Sequence, residues 1–182
     1  ADLWTERCEP RFRDSAPRIV RMPDGGDYWF SNTEMLVPAV TAGGELGYRF
    51  TDEGRQKLSM VATVESGRPG GWDPDEHIKD MDIDGITAEV IYPTAGQNAF
   101  RIQDATLMDD VCRAYNGWLT EFCVTHPKRL KGMGMINLDD VSVGVRELER
   151  CAKLGLVGAL ITVYAPENKG YHLPEYEPLW AT

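Results

Sequence analysis

The sequence predicts an α/β protein built on a parallel sheet covered by helices. Three observations carry that prediction. From Asp73 to Tyr164 the pattern runs helix–strand three times over. The helical stretches repeat their apolar residues at the 3.6-residue period. The stretch Val157 to Val163 is apolar on both faces, as a central strand of a parallel sheet should be. The chain ends in Leu179-Trp180-Ala181-Thr182 with the architecture unfinished, so the working protein is expected to exceed these 182 residues.

Two parts are expected. Residues 1–72 form an irregular N-terminal segment, read as an insertion lying over the face of a larger scaffold. Within it, Arg18 to Met22 and Tyr28 to Phe30 flank Pro23-Asp24-Gly25-Gly26-Asp27, which suggests a β-hairpin. Ala42-Gly43-Gly44 and Ser66 to Gly71 punctuate loops. Residues 73–182 carry the repeating units.

The first helix has Asp73 as N-cap and Pro74 at its first position, with Glu76 placed to complete a capping box. His77, Ile78 and Met81 face inward, and Gly85 is a left-handed stop. Ala88 to Tyr92 is a strand ended by Pro93. The second helix spans Asp104 to Thr125, with Leu107, Met108, Val111, Cys112, Tyr115, Trp118, Leu119 and Phe122 on one face. His126-Pro127 ends it, because a residue before proline avoids the helical region. Leu130 to Ile136 follows as a strand in which Gly132 and Gly134 permit close packing. The third helix starts near Asp139-Asp140, buries Val141, Val145, Leu148 and Ala152, and stops at Gly155. Pro178-Leu179-Trp180 opens a further helix.

Composition excludes several functions. A net charge of −10 repels phosphate backbones, so no nucleic acid is expected as a partner. No apolar run approaches the roughly 20 residues that span a membrane. Cys8, Cys112, Cys123 and Cys151 lack metal-binding spacing and read as buried thiols of a cytoplasmic protein. Early arginines, Arg7 to Arg21, are interleaved with acids, though one could hold a substrate carboxylate.

The motifs are sparse. Asp80-x-Asp82-x-Asp84-Gly85 opens like a calcium loop, but Ile91 stands where the bidentate Glu belongs. His77, His126 and His172 are too far apart to write a local metal site. His126 is expected to interact with the last carbonyls of its helix. Ligands of parallel α/β folds gather at the C-terminal ends of strands. Thr94, Asn137 and Tyr164 stand at those ends, and His172 lies on the loop after the last strand. These four are the candidate substrate-pocket residues; no catalytic residue is assigned.

The residues carry a resemblance. Asp2 to Arg7, Arg11 to Asp14, Ala16 to Val20, Gly71-Trp72-Asp73-Pro74 and Met81 to Gly85 resemble amidohydrolase-related proteins of the "amidohydrolase 2" group. So do Val90 to Thr94, Tyr115-Asn116-Gly117-Trp118-Leu119 with Phe122-Cys123, His126 to Leu130, and Leu154 to Gly158. The group includes aminocarboxymuconate-semialdehyde decarboxylase-like and resorcylate decarboxylase-like enzymes. The resemblance implies a (β/α)8 TIM barrel, of which this chain is roughly the first half lacking the opening strand. It implies a metal-dependent hydrolase or carboxy-lyase acting on a small anionic or aromatic carboxylate. It also implies a divalent metal, zinc or manganese, at the barrel mouth. None of the family's ligand positions can be matched here; they are expected before Ala1 and after Thr182. Expected partners are the small-molecule substrate and the remaining barrel segment, with a homo-oligomer allowed. The competing reading is a non-catalytic α/β interaction module, with open strand edges that would make the isolated chain self-associate.

Overall fold

The structure is a computed structural model that describes residues 2–39, 63–163, 165 and 169–182. The expected loop at Ala42-Gly43-Gly44 lies outside the described residues. Two three-stranded sheets organise the rest. The first is antiparallel, in the order β1 (Arg18–Arg21), β2 (Asp27–Ser31) and β3 (Glu34–Pro38). The second is parallel, in the order β4 (Glu89–Ile91), β5 (Leu130–Met135) and β6 (Gly158–Leu160).

The β1–β2 turn forms where the Pro/Asp/Gly run predicts it. Gly25 takes a left-handed φ of 88°, and the Asp24 carboxylate accepts from the Gly26 N–H at 2.9 Å. Strand β3 is an addition to the sequence reading. Its Met35-Leu36-Val37 core has strand chemistry, and Asn32, at φ 51°, makes the tight turn into it.

Helix α1 (Leu3–Arg7) ties the two sheets' surroundings together. The Trp4 indole donates to the Val111 carbonyl at 3.1 Å and meets the Trp29 ring edge-on at 5.0 Å. Helix α2 (Pro74–Asp84) starts at Asp73, whose carboxylate accepts from the Asp75 and Glu76 N–H groups. The capping box is only half formed. Glu76 turns outward to Lys79, because the Asp73 N–H is already bonded to the Pro69 carbonyl at 2.8 Å. Gly85, at φ 71°, stops the helix as expected. The acidic run before it serves arginines: Asp80 pairs with Arg68, and Asp82 with Arg129.

Helices α3 (Ala105–Val124) and α4 (Val141–Lys153) are capped by Asp104 and Asp140. The buried stripe of α4 differs by one residue from expectation. It ends on Cys151, at 1% exposure, and Ala152 faces solvent, because the 3.6-residue period falls between them.

Strand β5 sits at the centre of the parallel sheet, and α3 lies close on it. A Cβ on Gly132 would stand 2.7 Å from Leu119, and one on Gly134 would stand 3.0 Å from the Cys151 sulfur. The core of Leu107, Met108, Val111, Leu119, Leu130 and Ile136 fills this contact. Strand β6 is shorter than the expected Val157 to Val163. It spans three residues at the edge of the described sheet, and Val157 and Val163 are 53% and 85% exposed. Its apolar flanks reflect a face that no described element covers. Val90 and Tyr92, on the side of β4 opposite Ile91, are likewise half-exposed.

Candidate functional site

The C-terminal ends of β4, β5 and β6 form the candidate site. At β4, Pro93 cannot donate to a ladder, so the strand stops. The Thr94 N–H turns back to the Tyr92 carbonyl at 2.9 Å, leaving the Thr94 side chain exposed. A 3-10 turn, Gly96–Arg101, follows and sits on β5. A Cβ on Gly96 would stand 3.1 Å from the Met135 sulfur, so only glycine allows this seat without displacing it.

At β5, Asn137 is buried and turned toward α3. Its Nδ2 donates to Asp109 at 2.9 Å and, more weakly, to the Ala105 carbonyl at 3.5 Å. With Asp109, Arg113 and Arg146 it lines a cleft of about 370 Å³ between α3 and α4. Burial pushes the Asp109 carboxyl above its ordinary value. The Asn137 hydrogen bond opposes this, and Asp139, Asp140 and Glu147 reinforce it.

At β6, a loop returns over the strand end. The Tyr171 phenol donates to the Thr162 carbonyl at 2.9 Å and accepts from the Thr162 hydroxyl at 2.5 Å. Lys169 reaches the Asp139 carbonyl at 3.3 Å, and the Tyr176 hydroxyl donates to the Lys169 carbonyl at 3.0 Å. His172 is exposed on this pinned loop, its ring folded over Gly170, where a Cβ would lie 2.6 Å from Cε1. Thr94, Asn137 and His172 thus stand on three neighbouring strand ends, and no hydrogen bond joins any two of them. Tyr164 lies outside the described residues.

Two histidines belong to the opposite end of the sheet. His77 lies between the Gly70 carbonyl and the Glu89 carboxylate and meets the Phe122 ring edge-on. His126 does not bond its helix carbonyls through its ring. Its Nε2 meets Asp75 at 2.7 Å, because the first turn of α2 lies beside the end of α3. The four cysteines are free and buried. Burial pushes the Cys8 and Cys151 thiols up to about 12, with Asp110 and Glu147 adding to the respective shifts.

Sequence reasoning passed over Asn116. It is fully buried on α3 and grips both backbone polar groups of Met135, at 2.9 and 2.7 Å. Its signal was there to read: a polar amide on the buried face of a long helix needs a partner.

Comparison with known proteins settles the family. The Amidohydrolase family model matches residues 22–182. The chain belongs to the Amidohydrolase family. A solved amidohydrolase from Mycobacterium avium subsp. paratuberculosis K-10 superposes on 99% of this chain and 52% of its own, with TM-score 0.72 and 17% identity. The fold is therefore the (β/α)8 barrel of that family, of which this chain carries about half.

A gamma-resorcylate decarboxylase from Polaromonas sp. (strain JS666 / ATCC BAA-500) is 32% identical over 114 residues, 59% of this chain. A dihydroxybenzoic acid decarboxylase from Polaromonas sp. JS666 was solved with bound manganese and the inhibitor 2-nitroresorcinol. It is 25% identical, covers 75% of this chain and 40% of its own, and has TM-score 0.49. The chain spans 35% of the length of that curated decarboxylase and about half of the solved amidohydrolase, at 52%. Among the described residues, no three His, Cys, Asp or Glu side chains converge to hold a metal ion. No described helix is long and apolar enough to cross a membrane.

Proposed function

We propose that the protein carrying this chain is a metal-dependent carboxy-lyase that removes CO2 from a small aromatic carboxylate without redox chemistry. The observation that carries this reading is the 32% identity to a gamma-resorcylate decarboxylase across 114 residues. In such a step the ring carbon–carboxylate bond breaks, its electron pair stays on the ring carbon, and a proton takes the place of CO2. The divalent metal, manganese or zinc, would be held by residues outside those described, since the described ones do not fit a metal centre. No step is assigned to them through it.

This chain would supply walls of the pocket. Thr94 and His172 stand at its rim, Tyr164 follows β6, and an early arginine could grip the substrate carboxylate. Asn137 would act from beneath by fixing the end of β5 against Asp109. The protein would work in the cytoplasm, with the rest of the barrel as its structural partner.

The test uses the full-length protein loaded with Mn2+ or Zn2+ and given 2,6-dihydroxybenzoate. Release of CO2 together with 1,3-dihydroxybenzene is the expected result. Turnover of an ester or amide with none of the carboxylate would replace decarboxylation by hydrolysis. A full-length protein that retains no stoichiometric metal would overturn the enzyme reading and favour an interaction module, for which the half-exposed Val90 and Tyr92 are the relevant surface.

A further inference from the structure

Strand β5 changes partners along its length. Its ladder with β4 runs from Glu89–Leu130 to Ile91–Gly132 and stops. Beyond that point its pairs are with β6, from Met133–Gly158 to Met135–Leu160. The Ile136 N–H bonds to the Leu160 carbonyl, so the polar groups of Met135, one residue earlier, point to the β4 side. No described strand meets them there, because Pro93 has already turned β4 away.

Asn116 meets them instead. Its Oδ1 accepts from the Met135 N–H at 2.7 Å, and its Nδ2 donates to the Met135 carbonyl at 2.9 Å. Its second amide proton goes to Glu147 at 2.8 Å. Glu147 is in turn held by Arg150 at 2.7 Å. A carboxamide offers the same donor and acceptor as a peptide group, so helix α3 places one unit of imitation strand between β4 and β5. Asn116 is 0% exposed, and its amide is satisfied throughout.

We propose that Asn116 is a positioning residue that holds the C-terminal ends of β4 and β5 apart and so sets the mouth of the pocket. It acts through Met135, whose sulfur seats Gly96 and with it the loop that carries Thr94. This rests on the reading of these strand ends as a substrate site. Fixing Met135 fixes the floor under that loop. Without the amide, two buried backbone groups lose their partners, and the floor must shift to find others.

The experiment follows amide hydrogen exchange at Met135 and steady-state kinetics on 2,6-dihydroxybenzoate in the full-length, Mn2+-loaded protein. In the parent protein the Met135 amide is protected although no described strand covers it. Asn116→Leu keeps side-chain bulk and removes the amide. It lowers that protection by about tenfold or more and raises KM about tenfold, with kcat little changed. Leu119→Ala, on the same helix, serves as the control; it destabilises the fold without either effect. Asn116→Asp covers the case in which the leucine variant does not fold. It keeps an acceptor for the Met135 N–H, so protection there stays, but it sets an oxygen against the Met135 carbonyl and Glu147 and raises KM by a similar factor. An unprotected Met135 amide in the parent protein overturns the proposal. So does unchanged protection in Asn116→Leu, an unchanged KM in Asn116→Asp, or an equal KM rise in Leu119→Ala. If the parent protein turns over no carboxylate, the functional reading fails, and the exchange measurement alone decides whether Asn116 holds the strand.

Discussion

The two ends of the parallel sheet are held by different chemistry. At the N-terminal ends, charged side chains near solvent make the ties. Arg129 reaches the Thr87 and Ile86 carbonyls and Asp82, while His126 meets Asp75. Asp82 and Asp75 are 61% and 76% exposed, so water already screens these pairs and each contributes little. At the C-terminal ends the ties are neutral amides and hydroxyls: Asn116 on Met135, Asn137 on Asp109, Tyr171 on Thr162. The first of these is fully buried, where a lost partner costs the full desolvation of the group left behind. The end that bears the exposed loops is therefore the end with the stiffest foundations, which is what a binding site on loops requires.

The sharpest test of that comparison lies between the ends. Gly132→Val places atoms where the backbone of β5 touches Leu119, with the Cβ alone 2.7 Å away. Overpacking of this kind is expected to cost about 3 kcal/mol, read as a lower urea midpoint at unchanged slope.

Next comes Asn116→Ala, expected to cost about 2 kcal/mol through unpaired groups on Met135. Arg129→Ala at the other end should cost about 1 kcal/mol or less. Chemical denaturation of both variants decides the matter, and a larger loss for Arg129→Ala would break the comparison. Arg129→Lys should lose nearly as much as alanine, since an ammonium cannot fork to two carbonyls and a carboxylate at once.

A smaller effect depends on pH. The Asp109 carboxyl is raised, so folding favours its protonated form. The stability it contributes is present below the ordinary carboxylate range and is lost as pH climbs through the raised value. Asp109→Asn keeps the acceptor for Asn137 and removes that loss. The variant should melt above the parent at pH 7, by less than about 1 kcal/mol after solvent screening. The gap should close as pH falls toward about 4. Smallest of all is His126→Ala, expected within about 0.5 kcal/mol because its partner is exposed; a melting curve checks it.

Much of the fold was legible because its signals are local. Asp73, Asp104 and Asp140 stand at helix starts where an acid precedes an apolar repeat, and Gly85 and Gly155 end the first and last of those helices with φ of 71° and 89°. Strand β6 was read as too long, because an apolar run looks the same whether or not it goes on pairing as a strand. The half-formed capping box at Glu76 escaped notice because Pro69, seven residues away, already serves the Asp73 N–H. Of the candidate pocket residues, position at a strand end was readable for Thr94 and Asn137. The direction of the Asn137 amide was not, since it depends on Asp109 from another helix.

The sequence by itself determined the order of helices and strands from Asp73 to Tyr164, most of their caps and stops, the glycines that let α3 approach β5, and the family resemblance. These follow from periodicity and turn chemistry within a few residues. Only the tertiary structure decided that Asn116 serves as a strand for Met135, that Tyr171 pins the last loop to Thr162, and that His126 answers Asp75. Those pairs are 19, 9 and 51 residues apart. A hydrogen bond between distant residues exists only where packing brings donor and acceptor together, and no local pattern records it.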